Sequence, residues 1–168
     1  MSCRRHRFFR SLLLAGLLLA HTRLPLIAWQ GPGSDIAIVA HSNVPVDNLS
    51  FAELRKVVLG DRQYWAANLR VTLLLRAPIS RERDVVLQRV YEMNESQFRQ
   101  YWIGKVFRAE VASGPKIVNS TDATIGMLSS LPGSIAFIDS KEVPKNLKVL
   151  RVDGKLPGQD GYALRATR

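Results

Sequence analysis

Cysteine is nearly absent. The only one in the 168 residues, Cys3, lies in the N-terminal segment, so a domain that begins beyond it has neither a disulfide nor a thiolate nucleophile. Histidine is almost as scarce: of three, His6 and His21 share that segment and only His41 remains, too few to assemble a His/Cys metal site. His41, beside a strand end, reads as a surface or capping residue. Acidic residues number 14 against 24 Lys and Arg, but Arg4, Arg5, Arg7, Arg10 and Arg23 precede Gln30; from there on 19 basic residues face 14 acidic ones, a net charge of +5. This surplus is scattered, with no Lys/Arg run and no basic stripe interleaved with aromatics, which argues against a nucleic-acid partner. Nucleophile elbow, phosphate-cradling glycine loop and defensible carboxylate pair are all missing, so no enzymatic activity and no cofactor or metal is expected. Asp153 and Asp160 read as turn residues.

What is present begins with a leader. Residues 3–10 form a basic n-region, and Ser11 to Ala20 form an apolar stretch of the length of a signal h-region. That stretch is too short to span a bilayer, which takes about 20 apolar residues. A second apolar patch, Leu24 to Trp29, leaves an uncleaved anchor as the alternative, but Arg23 would then lie in hydrocarbon at a cost of about 2.5–3.5 kcal/mol. Residues 1–29 are therefore expected to be a signal peptide cleaved near Ala28, and the protein to be exported to the periplasm. Cys3 precedes the apolar core and is not placed as a lipid acceptor.

The rest suits one domain, 34–165, of ordinary size. Ile36–Ala40 is a continuous apolar run, the pattern of a strand buried on both faces. Ser50 and Glu53 form a capping box with Leu49 placed to staple onto Leu54, opening a helix whose inner face is Phe51, Leu54, Val57 and Val58 and whose stop is Gly60. Residues 61–68 read as a loop and Val71–Leu75 as a second strand. A helix from Arg81 to Tyr91 is expected to turn Val85, Val86, Arg89 and Val90 inward. Asn94 and Gln97 cap a third helix, with Met93 stapled to Phe98; Phe98, Tyr101, Trp102, Val106 and Phe107 make an aromatic stripe read as core. After Ser113-Gly114-Pro115 come a short strand at 116–118, a helix from Asp122 to Leu131 ended by Pro132-Gly133, and strands at 134–138 and 147–152. This alternation predicts an α/β fold with a sheet packed by helices.

One segment carries a chemical expectation. Leu75-Arg76-Ala77-Pro78-Ile79-Ser80-Arg81-Glu82-Arg83-Asp84 runs from a strand end through a tight loop into a helix, aiming unpaired N–H groups at the crevice beyond the strand. Ser80 is the natural N-cap. Arg81 and Arg83 then sit at the positive end of the macrodipole, where each cation is disfavoured by ~0.3–1 kcal/mol. A bound oxyanion would reconcile this, held by Ser80, the helix N–H groups and a guanidinium fork. Otherwise Glu82 and Asp84 neutralise the arginines locally and Ser80 only caps.

Several segments resemble phosphate-type ABC-transporter substrate-binding proteins. Leu49-Ser50-Phe51-Ala52-Glu53-Leu54-Arg55-Lys56-Val57-Val58-Leu59-Gly60 with Trp65 is similar to that family's "L-x-x-x-x-L-x-x-I-F-x-G … W"; Phe98-Arg99-Gln100-Tyr101-Trp102 with Phe107 to its "Y-W … F-x-G"; Leu131-Pro132-Gly133-Ser134-Ile135-Ala136-Phe137 to its "x-P-G-A-I-G-Y". The likeness runs from Ile36 to Leu164. It implies one lobe of a type II periplasmic binding protein-like fold, a mixed sheet flanked by helices, and a phosphate-contacting "R-x-x-x-S-G-T" segment of which Arg76 and Ser80 remain. Arg81-Glu82 replace Gly-Thr, and the glycine after Phe107 is missing.

Family members close two lobes on the ligand, and one lobe leaves an anion solvated, so binding of phosphate or another small oxyanion at Arg76, Ser80, Arg81 and Glu82 is expected to be weak. The alternative is a degenerate lobe acting as an interaction or signalling module in the cell envelope, docked on a partner protein or paired as a homodimer. An open N–H nest at Arg81-Glu82 would favour the first expectation and an occluded one the second.

Overall fold

The apolar run Ile36–Ala40 becomes β1, in the middle of a six-stranded sheet and buried along its whole length. A computed structural model describes residues 34–165; the signal-peptide expectation at 1–29 lies outside them. The remaining strands are β2 (Asn48–Leu49), β3 (Tyr64–Ala66), β4 (Leu69–Arg70), β5 (Thr72–Arg76), β6 (Lys116–Val118), β7 (Ser134–Asp139) and β8 (Lys148–Val152). The helices are α1 (Phe51–Val58), α2 (Arg81–Val86), α3 (Glu95–Phe107) and α4 (Thr121–Ser130), with a π-helical turn at Leu87–Tyr91 continuing α2. The main sheet runs β2-β8-β1-β7-β5-β6, with β1 antiparallel to both neighbours and the other five strands sharing one direction. β3 and β4 pair as a separate small hairpin, so the expected loop at 61–68 is partly strand.

Two cores lie on the two faces. Ile36, Ile38, Leu73, Leu75, Ile135 and Phe137 meet α1, α2, the π-turn and α3 on one side. The alternate positions Ala37, Val39, Leu74, Ala136 and Ile138 meet Leu128 of α4 on the other. The mixed sheet flanked by helices matches the expected class. The chain's tail closes the start of β1: Ile36 N–H donates to the Leu164 carbonyl at 3.0 Å, and the Tyr162 hydroxyl donates to the Ile36 carbonyl at 2.9 Å.

Both capping boxes form, at Ser50/Glu53 and Asn94/Gln97, and Gly60 ends α1 with a φ of 73°. Of the expected inner positions of the 81–91 helix, Val86 and Val90 are buried and Val85 packs against the core, but Arg89 is not inward. The buried positions of this helix are Arg83, Val86, Leu87, Val90 and Tyr91, a regular 3–4 spacing, while Arg89 is exposed. The aromatic stripe also divides: Phe98 and Trp102 are buried and stack edge-to-face, whereas Val106 and Phe107 are exposed, Phe107 at 89%. A thirteen-residue helix packed on one side cannot bury positions all round.

Gly133 is the tightest joint between the hairpin and the sheet. Its φ is 73°, and a Cβ there would lie 2.2 Å from the Arg70 carbonyl oxygen. Its own carbonyl accepts from Trp65 Nε1 at 2.8 Å and Thr72 N at 3.1 Å, and its N–H donates to Asn43 Oδ1 at 3.0 Å. Gly133→Ala is therefore expected to lower the unfolding free energy by more than the ~1–2 kcal/mol of a left-handed L-residue alone. Urea denaturation reads this; a loss below 1 kcal/mol would show that the joint relaxes.

Candidate functional site

The C-terminal ends of β5, β6 and β7 share one edge of the sheet, and α2 and α4 both start there, in the position where open α/β sheets hold ligands. Ser80 caps α2 as the sequence suggests, its Oγ accepting from Arg83 N at 3.3 Å. Just before it Ile79 takes a φ of 72° and is 98% exposed, an unfavourable backbone for a β-branched side chain that packs against nothing.

Arg81, the first residue of α2, crosses to β7. Its Nη1 donates to Asp139 Oδ2 at 2.5 Å and to Ser34 Oγ at 3.0 Å, and its Nη2 donates to the Ser34 carbonyl. The Ser34 hydroxyl donates to Asp139 Oδ2, and Lys141 N–H to Asp139 Oδ1 at 3.0 Å. Partial burial opposes ionisation of Asp139, but the Ser34 hydroxyl, the Lys141 N–H and the Arg81 guanidinium outweigh it and hold the carboxyl below its ordinary value. The negative charge that the arginines of α2 called for is thus supplied by the chain. It comes from Asp139, across the edge, and not from the neighbouring Glu82 or Asp84. Glu82 is half-buried and has no part in these bonds.

Arg83 is 2% exposed. Its Nε and Nη2 donate to the two oxygens of Glu95 at 2.9 and 2.8 Å, its Nη1 donates to the Arg76 carbonyl at 2.9 Å, and its guanidinium lies 4.7 Å from the Phe98 ring centre. The bond from Arg83 holds the Glu95 carboxyl below its ordinary value. Arg83 is therefore a tie between β5, α2 and α3, its charge already neutralised by Glu95.

The structure does not bring Arg76 together with Ser80 and Arg81. Leu73 and Leu75 face the α1–α3 side and Leu74 faces α4, so alternation sends the Arg76 side chain to the α4 side while α2 occupies the other. Its Nε and Nη1 are buried without an acceptor. Val118 is its register partner on β6, and α4 begins three residues later, so the first turn of α4 stands at the same edge. There Ser120 Oγ accepts from Ala123 N at 3.1 Å, and Thr121 Oγ1 donates to Glu142 Oε2 at 2.7 Å. Sequence reasoning missed Ser34, Asp139, Glu95, Ser120, Thr121 and Glu142. Only Asp139 carried a recognisable sign, an acid directly ending a buried strand.

No family model matches the chain and no curated protein matches it. Solved structures do. An ABC-type phosphate transport receptor from Vibrio cholerae aligns at 16% identity and a TM-score of 0.58, over 75% of this chain and 49% of the receptor. PstS from Borrelia burgdorferi aligns at 15% and 0.62, over 81% and 56%. A phosphate binding protein from Stenotrophomonas maltophilia aligns at 12% and 0.56, over 75% and 41%. At these identities the likeness establishes the fold, and the chain spans about half the length of the structures it matches. Its architecture is that of a partial lobe of such binding proteins.

Two outcomes follow from the edge geometry. Asp139 has a depressed folded value, so its contacts add stability above about pH 4, which is lost as pH falls through that folded value. Asp139→Asn should thus lower Tm at pH 7, with the deficit shrinking towards pH 3; a pH-independent deficit would mean the carboxylate charge is not what holds Arg81. Ile79→Gly relieves the left-handed backbone at some cost in chain entropy, for a net gain of about 1 kcal/mol in urea unfolding.

Proposed function

We propose that this protein is an exported, binding-protein-like lobe of the cell envelope that takes a small oxyanion such as phosphate, weakly, on the α4 side of its sheet edge. The carrying observation is the Arg76 guanidinium, two of whose nitrogens are buried with no acceptor at the end of β5. A buried donor without a partner costs about 1–3 kcal/mol, more when charged, and an oxyanion oxygen would remove that cost. Ser120 and Thr121, opening the ten-residue α4, stand at the same edge and add N–H groups and hydroxyls of the kind that hold anions. The α2 side is the weaker candidate despite Ser80 and Arg81, because the Asp139 carboxylate already lies on Arg81 and the helix is only six residues long.

Glu142, bonded to Thr121, competes with a guest on the α4 side. With one lobe the site is open to water and salt as well, so millimolar affinity is expected rather than the tight capture of a closed cleft. The matched structures named for phosphate support the ligand class. Export rests on the leader of residues 1–29; within the described residues no helix is long and apolar enough to cross a membrane.

A second reading, an envelope docking module, is favoured by one observation: Ile79 stands beside the same edge 98% exposed on a strained backbone. A side chain held out in this way suits a partner's apolar pocket. A homodimer would satisfy the same feature.

Calorimetric titration with phosphate and sulfate at low ionic strength separates these readings. Saturable millimolar binding is expected, at least tenfold weaker in Arg76→Ala, several-fold tighter in Glu142→Gln and unchanged in Asp139→Asn. Absence of saturation up to about 10 mM, or indifference to Arg76→Ala, would refute the ligand reading. A dimer in sedimentation that Ile79→Gly dissolves would support the second.

A further inference from the structure

At the other end of β5, about 13 Å away by the rise of a strand, the molecule has a pocket of about 260 Å³. It lies at the N-terminal ends of β5 and β6, beneath the end of α1 and beside α3. Its floor is apolar: Val57, Leu73, Val111 and the ring of Trp102. The Trp102 ring is pressed between two glycines, since a Cβ on Gly60 would come within 2.9 Å of its Cη2 and one on Gly114 would sit 3.6 Å from its Cδ2.

The rim is cationic. Arg62, Arg70 and Lys116 line the pocket and no Asp or Glu does. None of the three forms an ion pair among the described residues. The nearby acids are already taken, Asp61 by Lys105 and Glu110 by Arg108 at 2.5 Å. Arg62 is oriented by the protein, its Nε donating to the Tyr64 carbonyl at 3.3 Å and its guanidinium lying 5.3 Å from the Trp65 ring centre.

The end of α1 would ordinarily repel an anion, because its last carbonyls carry partial negative charge. Here they are all donated to. Arg55 O accepts from Leu59 N, Lys56 O from Asp61 N and Arg62 N, and Val57 O from Gly60 N. The Tyr91 and Tyr101 hydroxyls donate to the Val58 and Leu59 carbonyls, each at 2.8 Å. The groups without an acceptor among the residues lining this pocket are therefore Arg70 and Lys116 at the rim and the buried Nε1 of Trp102.

The geometry points to a second binding site here, for a small organic anion: a compact apolar body seated against Val57, Leu73, Val111 and the small exposed part of Trp102, with a carboxylate or phosphate turned out to Arg70 and Lys116. The volume admits a compact ring system and little more, being just under the usual range for drug-sized pockets, ~300–1,000 Å³. This site is independent of Arg76 and of the proposed oxyanion function.

The test is isothermal titration of the full chain with 1-naphthoate, with neutral 1-naphthalenemethanol and with inorganic phosphate. Saturable naphthoate binding is expected, with the alcohol at least tenfold weaker. Arg70→Gln/Lys116→Gln, two exposed positions, should weaken naphthoate tenfold or more while leaving Tm unchanged, and Arg76→Ala should leave naphthoate untouched. No saturation by naphthoate, equal binding of the alcohol, equal affinity in the double variant, or loss of naphthoate in Arg76→Ala would each overturn the proposal. Failure of phosphate binding with naphthoate binding intact would overturn the oxyanion reading alone.

Discussion

The sheet edge depends on one buried cation. Arg83 lies in the first turn of a helix, where the backbone dipole disfavours it, and inside the apolar core, where desolvation disfavours it further. It is tolerated because every face of its guanidinium is occupied: both Glu95 oxygens, the Arg76 carbonyl and the Phe98 ring. These partners come from α3, β5 and α3 again, so neutralising one charge fixes how α2, α3 and the end of β5 sit together. The fork geometry of arginine matters, since a lysine could not reach two carboxylate oxygens and a carbonyl in one plane.

That tie sets the chemistry of the edge around it. With Arg83 satisfied from within, Arg81 is free to swing outward, and it meets Asp139 at the end of β7 and Ser34 at the start of the described chain. Arg81, at the N-terminus of α2, is thereby neutralised by a carboxylate of the protein rather than by an anionic guest. On the opposite face, Arg76 surrenders its carbonyl to Arg83 and keeps two nitrogens unpaired. One strand end thus feeds two different environments, a neutralised arginine on the α2 side and an unpaired one on the α4 side.

Local grammar was readable wherever one residue type serves one backbone need. The capping boxes at Ser50/Glu53 and Asn94/Gln97, the stop at Gly60 and the doubly buried run Ile36–Ala40 all stand where the sequence places them. Pairings that depend on three-dimensional neighbours were not readable. The acids that neutralise Arg83 and Arg81 were not foreseen because Glu95 lies twelve positions from Arg83, across the π-turn, and Asp139 is 58 positions from Arg81. The alternation that separates Arg76 from Ser80 was implicit in the strand, yet the loop at 77–79 hid it. Phe107 misled in the opposite direction: periodicity grouped it with Trp102, but the helix has only one side to bury.

Part of the net charge of +5 carried by residues 30–168, read as scattered, has a local order once the fold is known. At the C-terminal edge Asp139 lies on Arg81 and Glu95 on Arg83, while Glu142 accepts from the Thr121 hydroxyl and Arg76 stays unpaired. At the N-terminal ends of β5 and β6 the local acids Asp61 and Glu110 are drawn off to Lys105 and Arg108, and Arg70 and Lys116 are left without them. Arg70 and Lys116 are thus uncompensated cations beside a concave surface. A cation beside water costs little, so neither residue is strained by this, but the field in a low-dielectric recess is stronger than over a flat surface. By that reasoning the N-terminal ends of β5 and β6 are receptive to negative charge independently of the Arg76 edge.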